Sequence, residues 1–448
     1  MSWKLVTIIG AALAVALAGC AGGATSSDGR TTLTVSIDPG LDKGAVAAFT
    51  TRVKQFEAAN PGIDVRTQEF KWDATTFTAK LAGGTLPDVF TLPFTDGRGL
   101  IQRRQIADIS GLARALPYFA KFSPQIAKAG EAADGGMWAV PISAYGQALH
   151  YNRTLFAQAG LNPDDPPSTW DQVRADARQI AQRTGQAGYA EMTTDNTGGW
   201  ILTTLDYALG GRTEQLGEHA KSTLDTKPMA DALRMIQSMR WNDNSMGSDF
   251  LYDWNGINQD FAAGRIGMYV SGGANYGSLR AQNAIKPEDY GVTALPLDGG
   301  GAGVLGGGTL AAVSAAADDQ VRAAAVKWID FYYLRKQTDH DAAVADAKTT
   351  ADSGEVVGAP ELPVFDKAQY DQRMSWIAPY VNVPVKQLAP YTDKMFDQPL
   401  VPEPTKSTQQ VYALLDTVVQ KVLTDRNADI NALLADAQQQ AQTLLDRG

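Results

Sequence analysis

Apolar and polar positions change period several times along the chain. After an opening apolar run, Leu33, Val35 and Ile37 alternate with polar residues, the period of a strand. Val46, Phe49, Val53 and Phe56 then recur at helical spacing, and Asn60-Pro61-Gly62 stops that helix. Ile63 and Val65 alternate again. The stretch from Asp73 to Ala82 reads as a helix ended by Gly83-Gly84, and Val89-Phe90 as a short strand. A β-α-β-α-β order needs crossover helices, so it predicts a parallel sheet in an α/β fold.

Further on, Thr169 can cap a helix, with Gln172 three residues later closing a capping box. Met268 to Val270 and Leu310 to Val313 read as strands, and the glycines from Gly299 to Gly308 as a break between them. Val321, Ala325, Trp328, Ile329 and Tyr332 make one helix face. Residues from Ala351 to Pro404 are rich in proline and predict irregular structure. Two amphipathic helices close the chain, striped by Val411, Leu415, Val418 and Val422, and by Ile430, Leu434, Ala437 and Ala441. The chain shows no internal repeat.

The opening apolar run, Leu5 to Leu17, follows Lys4. It is too short to span a bilayer comfortably but suits a secretory signal. It ends in Leu17-Ala18-Gly19-Cys20, which is similar to a bacterial lipobox. Cys20 is the only cysteine, so no disulfide within the chain is possible and a lipid-bearing thiol explains its presence. Ala21 to Arg30 is small, polar and glycine-rich, as a flexible tether is. The formal net charge of -10 argues against nucleic acid, which needs a basic face. The length after the tether exceeds one hydrophobic core and predicts two lobes.

Six motifs, in order, carry a family resemblance. They are Leu81-Ala82-Gly83-Gly84-Thr85-Leu86-Pro87-Asp88-Val89; Trp138-Ala139-Val140-Pro141; Leu149-His150-Tyr151-Asn152-Arg153-Thr154-Leu155-Phe156 with Ala159-Gly160-Leu161; Thr169-Trp170-Asp171; Phe261 to Met268; and Leu295-Pro296 followed by Leu305 to Gly308. The chain thereby resembles the family 1 extracellular solute-binding proteins, the maltose-binding-protein-like group serving carbohydrate ABC importers. The resemblance implies a two-lobe periplasmic-binding-protein-like fold with a ligand cleft. It implies three crossings between lobes, placed near Pro141, near Val292 and after Leu334. The corresponding boundaries are 1–19 for a signal peptide, 20–30 for a lipidated tether, 31–141 with 293–338 for one lobe, and 142–292 with 339–448 for the other.

Sugars are held by aromatic faces and by planar polar groups that bond their hydroxyls. The candidates of that type near strand ends and loops are Asp38, Trp72, Asp73, Thr91, Phe94, Ser143, Tyr145, Asp195, Trp200, Asp253, Trp254, Gly272, Gly273, Asn275, Gly307 and Gly308. Trp72 and Trp254 are the leading stacking platforms, because Asp73 and Asp253 beside them can accept from hydroxyls. Trp138, Trp170 and Trp328 are assigned to the core. The family often places a tryptophan where Asn275 stands here, which weakens any transfer of maltose-like specificity.

Other chemistry reads weakly. Gly301 to Gly306 fits the dinucleotide fingerprint, but a strand rather than a helix follows it. Of His150, His219 and His340, the last stands between two acids, Asp339 and Asp341, but adjacent residues on a helix face different ways. No cofactor and no metal is expected.

The expected function is capture of a mono- or oligosaccharide outside the cell membrane and its delivery to ABC permease subunits, without catalysis. The expected location is the outer face of the cell membrane, held by the lipid anchor alone. The alternatives are a polyol or glycerophosphodiester bound by the same fold, or a secreted carbohydrate-active hydrolase. Cys20→Ala should move the protein from the detergent phase to the aqueous phase in phase-partitioning. Unchanged partitioning overturns the anchor.

Overall fold

The computed structural model describes residues 29–447 except Asp42, Leu216, Glu218 and His219. The expected signal peptide, Cys20 and nearly all of the tether lie outside the described residues, as does His219. Among the described residues no helix is long and apolar enough to cross a membrane.

Eight strands carry the architecture: β1 (Thr31–Ile37), β2 (Ile63–Glu69), β3 (Val89–Pro93), β4 (Ala139–Asn152), β5 (Met268–Gly272), β6 (Tyr290–Ala294), β7 (Val304–Val313) and β8 (Leu400–Pro402). In the first lobe β1 lies between β2 and β3, parallel to both. The C-terminal half of β7 then pairs antiparallel with β3 and with the start of β4. In the second lobe the end of β4 pairs antiparallel with β5 on one side and β6 on the other. β4 is therefore shared: it begins in the first-lobe sheet, paired with β7, and ends in the second.

The alternation of Leu33 and Val35 does bury both side chains completely, on a strand covered on both faces. Helix α1 (Lys43–Ala59) buries Phe49, Val53 and Phe56, whose rings meet Trp328 of a later helix at 5.8 Å and 5.2 Å. Helix α2 (Ala74–Ala82) completes the first β-α-β-α-β unit, and α3 (Phe94–Gln102) follows it. In the second lobe, α4 (Trp170–Thr184) starts with the expected capping box of Thr169 and Gln172. Helix α5 (Thr197–Ala208) is buried nearly all round. Helix α6 (Trp254–Ala262) precedes β5, and α7 (Asp319–Ile329) returns to the first lobe. There Tyr332, on a π-helical turn after α7, still stacks on Trp328 at 5.0 Å. The last elements are α8 (His340–Asp352), α9 (Lys367–Ile377), α10 (Val385–Thr392), α11 (Thr408–Thr424) and α12 (Ile430–Arg447).

The core is divided between the lobes. One cluster runs from Leu33 to Phe365 through β1, β3 and α7; the other joins the end of β4, α4, α5, β5, α11 and α12.

Four sequence expectations change. Gly306, Gly307 and Gly308 do not break the chain; they lie inside β7 and pair with β4. The second crossing lies there, not near Val292, because β6 pairs only with the second-lobe end of β4 and the loop after it stays bonded to α5 through Asp298 and Gly303. Residues after Leu334 do not pass directly to the second lobe. Val364 and Phe365 pack in the first-lobe core, and Gln369 accepts from Lys121 at 2.8 Å. After Leu334, Val356, Leu362 and Tyr370 pack against the edge of the second-lobe core, and Val383 is the first buried residue within it. The stretch expected to be irregular holds α9, α10 and β8, since its helices carry apolar residues too sparsely to show a clear stripe.

Pairing of Gly306 with Gly146 lets the shared ribbon take the Leu400 side chain against it. A Cβ at Gly306 would stand 2.1 Å from the Leu400 methyl and 2.4 Å from the Tyr145 carbonyl. Gly306→Ala should therefore cost about 1–3 kcal/mol in urea unfolding. Wild-type stability in that variant overturns the close packing.

Candidate functional site

Strand register places the loops. Parallel strands β1, β2 and β3 end at Ile37, Glu69 and Pro93, and Pro93 stands opposite Thr309, which stands opposite Ser143. Their C-terminal ends thus share the edge at which β4 leaves the first lobe. In the second lobe Gly272 pairs with Gln147 and Ala294 with Ala148, at the edge where β4 enters. The segment through Met192 runs parallel to that through Tyr252, so Asp195 and Asp253 emerge at this same edge. The two edges face one another across the ribbon from Ser143 to Gln147, and the space between them is the candidate cleft.

The ribbon has two different faces. A Cβ on Gly146 would meet Leu362 and Leu400, so that face is covered by the C-terminal segment. Beyond it lies a cavity of about 260 Å³ lined by Ile142 and Ala144 and by residues of α8 and α9. The opposite face carries Tyr145, whose ring lies against Gly307, where a Cβ would stand 2.8 Å from its hydroxyl. Gly307 is required there because any side chain would displace that ring. Leu400 lies on the covered face, and two-residue alternation from Pro402, opposite Gly306, puts Glu403 on the side of Tyr145.

Four side chains meet on this second face. Tyr145 and Trp200 lie edge-to-face with ring centroids 6.4 Å apart. Tyr412 donates to Glu403 at 3.3 Å, and Tyr145 and Trp200 direct their donors at the same carboxylate. Burial pushes the Glu403 carboxyl up, opposed by those three donors. It likewise pushes the phenols of Tyr145 and Tyr412 well above their ordinary range, so both stay protonated donors.

Trp200 sits in the first turn of α5, and the route into that turn is strained. Asp195 and Asn196 have φ of 56° and 67°, a left-handed pair without glycine. The Asp416 carboxylate holds it, accepting from the N–H groups of Asn196 and Gly199, both at 2.8 Å. A side chain from α11 thus caps α5, which has no side-chain cap of its own.

The other candidates divide. Asp38 is exposed at the end of β1, and its charge acts on Tyr332 and Tyr333. Trp72 is half-buried in an open concavity with Pro39, Lys71 and Lys80; its indole donates to Asp96 at 2.8 Å and stacks on Phe90. Trp254 is half-buried against the second core. Asp73 and Asp253 are helix caps, accepting from the N–H groups of Thr75 at 2.9 Å and Gly256 at 2.6 Å. Their proximity to tryptophan therefore has a local cause. Ser143 is exposed on the ribbon, and Thr91 is half-buried within β3.

Three candidates do not present themselves as expected. Phe94 is buried, its ring packed beneath Gly308. Asn275 is buried too, its amide donating to Asn258 and Tyr269 at 2.8 Å, so it does not stand in for a cleft tryptophan. Gly273 bonds through its N–H to Gly146 at 2.9 Å and leaves room for the Tyr391 hydroxyl; Gly272 is open. Sequence reasoning missed Glu403, Tyr412 and Asp416. The available signal was an acid set between prolines, Pro402-Glu403-Pro404, in a region read as irregular.

His150 is fully buried. It accepts at Nδ1 from Tyr290 at 2.8 Å and donates from Nε2 to the Gly272 carbonyl at 3.1 Å, and burial lowers it to about 4, so it is neutral. His340 and Asp341 form an exposed pair at a helix start. Gly301 to Gly306 runs into strand β7 rather than a helix.

Two buried acids lie outside the cluster. Burial pushes Glu191 up to about 8, opposed by the Tyr189 hydroxyl, and Asp206 up to about 7, opposed by the charge of Arg212. Each binds its proton more tightly folded than unfolded. Stability from this source is full below their ordinary values of 4.5 and 3.8 and is lost as pH rises through about 8 and 7. The melting temperature of Glu191→Gln should therefore fall less than that of wild type between about pH 5 and pH 8. Parallel curves overturn the burial of that charge.

Comparison with known proteins agrees with this architecture. Residues 42–339 match the profile of the bacterial extracellular solute-binding protein family. A binding protein of Brucella abortus (strain 2308) is 26% identical over 292 residues, 59% of this chain, and the match spans 65% of that relative's length. The solved structure of the cyclic alpha-maltosyl-1,6-maltose binding protein from Arthrobacter globiformis superposes with a TM-score of 0.71 at 22% identity, covering 94% of this chain and 100% of that one. UgpB from Mycobacterium tuberculosis, solved with glycerophosphocholine, superposes at 0.67 with 18% identity, covering 94% and 100%.

Proposed function

Because the chain belongs to the bacterial extracellular solute-binding protein family, we propose that it captures a mono- or oligosaccharide in its interlobe cleft and delivers it to the permease of an ABC importer. The carrying observation is the cluster of Tyr145, Trp200, Tyr412 and Glu403 on the open face of the shared ribbon. Ring surface suits the C–H faces of a sugar, and a desolvated carboxylate accepts strongly from hydroxyls. Trp72 and Asp38 approach from the edge of the opposite lobe, so a solute seated on the cluster is reached by both lobes when they close. The work is binding and closure, with no bond made or broken. The protein acts at the outer face of the membrane, tethered through Cys20.

A polyol or glycerophosphodiester is the second reading, supported by the likeness to proteins that carry such names. A phosphate on the cluster would meet the Glu403 charge. It would have to lie instead at the first-lobe concavity, beside Lys71 and Lys80.

Calorimetric titration of the mature protein with a panel of sugars and polyols identifies the solute. With it, Trp200→Ala should bind roughly 30-fold more weakly, the loss of about 2 kcal/mol of ring contact. Small-angle scattering should give a smaller radius of gyration at saturation. Unchanged affinity in that variant together with an unchanged scattering profile overturns this site.

A further inference from the structure

Glu403 leaves a negative charge on the cleft wall without an opposite charge to meet it. Its partners are three neutral donors: the Tyr412 hydroxyl at 3.3 Å, the Tyr145 hydroxyl and the Trp200 indole N–H. Among the described residues no lysine, arginine or histidine pairs with it or acts on it. Glu191 and Asp416 also have neutral donors alone, but they lie inside the second lobe; several other acids are met by cations. Asp243 has Arg174 and Arg178, Asp260 has Arg265, and even the deeply buried Asp206 feels Arg212.

Neutral donors spread a carboxylate's charge without cancelling it. Closure of the lobes expels water and makes an uncompensated charge costlier to hold. A sugar hydroxyl would add one more neutral donor. An ammonium group would cancel the charge, and the rings favour the same choice. Tyr145, Trp200 and Tyr412 gather their hydroxyls and indole N–H on the carboxylate, so a cation seated there has aromatic rings beside it, whose faces carry negative potential that attracts a cation but gives nothing comparable to a neutral hydroxyl.

We propose that Tyr145, Trp200, Tyr412 and Glu403 form a subsite for an alkylammonium group, so that the solute is basic: an amino sugar, or a polyol bearing a quaternary ammonium. This rests on the solute-binding reading and narrows its ligand class. Gly307 lets the Tyr145 ring lie against the ribbon, and β8 delivers Glu403 to that face with its flanking prolines limiting backbone freedom.

The test is calorimetric titration of the mature protein with two matched pairs, glucosamine against glucose and choline against its uncharged isostere dimethylbutanol, with maltose as a neutral control. In at least one pair the charged member should bind about tenfold tighter or more. The pair that responds tells an amine from a quaternary ammonium. Glu403→Gln keeps the shape and the acceptor but removes the charge. It should fold, melt no lower than wild type, and bring that pair near parity. Equal or better binding of both neutral members overturns the subsite, as does a preference that survives in Glu403→Gln. Maltose binding with no response from either pair overturns the subsite and leaves the solute-binding reading standing. Binding of none of the five probes overturns both. Should Glu403→Gln fail to fold, the wild-type ratios decide alone.

Discussion

The continuity of β4 from one sheet into the other, braced by its pairing with β7 from Ser143–Thr309 to Gly146–Gly306, joins the lobes and sets the position of everything that could touch a solute. Each lobe closes its own apolar core, so neither needs the other for burial. What they share is backbone. Backbone pairing without bulky side chains is strong along its hydrogen bonds and soft in twist, and the run Gly306-Gly307-Gly308 supplies that property at the joint. The same glycines permit close approach of Tyr145 on one face and Leu400 on the other. One short ribbon is thus both pivot and floor of the cleft.

Polar burial follows a pattern around that floor. His150 and Asn275 are buried with partners on adjacent strands and helices, and they fix how β4, β5, β6 and α6 meet. Glu191, Asp206 and Glu403 are buried acids, and burial raises all three. A protein selected for stability alone would replace them with apolar residues of similar volume. Of these three only Glu403 lies beside the open face of the ribbon, where the proposed solute would meet it.

Much of the first lobe was legible because its elements carry their own signals: alternation at Leu33 and Val35, helical spacing at Phe49, Val53 and Phe56, and the Thr169–Gln172 capping box in the second. The candidate site was legible in part. Tyr145 and Trp200 could be named as aromatics with polar residues near them, Tyr145 just after the expected crossing at Pro141, although Tyr145 lies inside β4 and Trp200 in the first turn of α5. Glu403 and Tyr412 could not, since their role depends on a strand of three residues laid beside β7 from nearly a hundred positions away. Local chemistry also misled. An aspartate next to a tryptophan reads as a sugar acceptor, yet Asp73 and Asp253 begin helices. A tryptophan position filled by Asn275 reads as a cleft residue, yet the amide is held inward.

The cap that Asp416 places on α5 sets an order of events. Trp200 is made early and threads out of the cell early, but its turn is held by a carboxylate 217 residues later in the chain. Glu403, which the indole meets, also comes from the last stretch. Strands β1 to β7 therefore precede in the chain one side of the wall they position. The proposed solute wall is complete only once the last stretch, with Glu403 and Asp416, has docked.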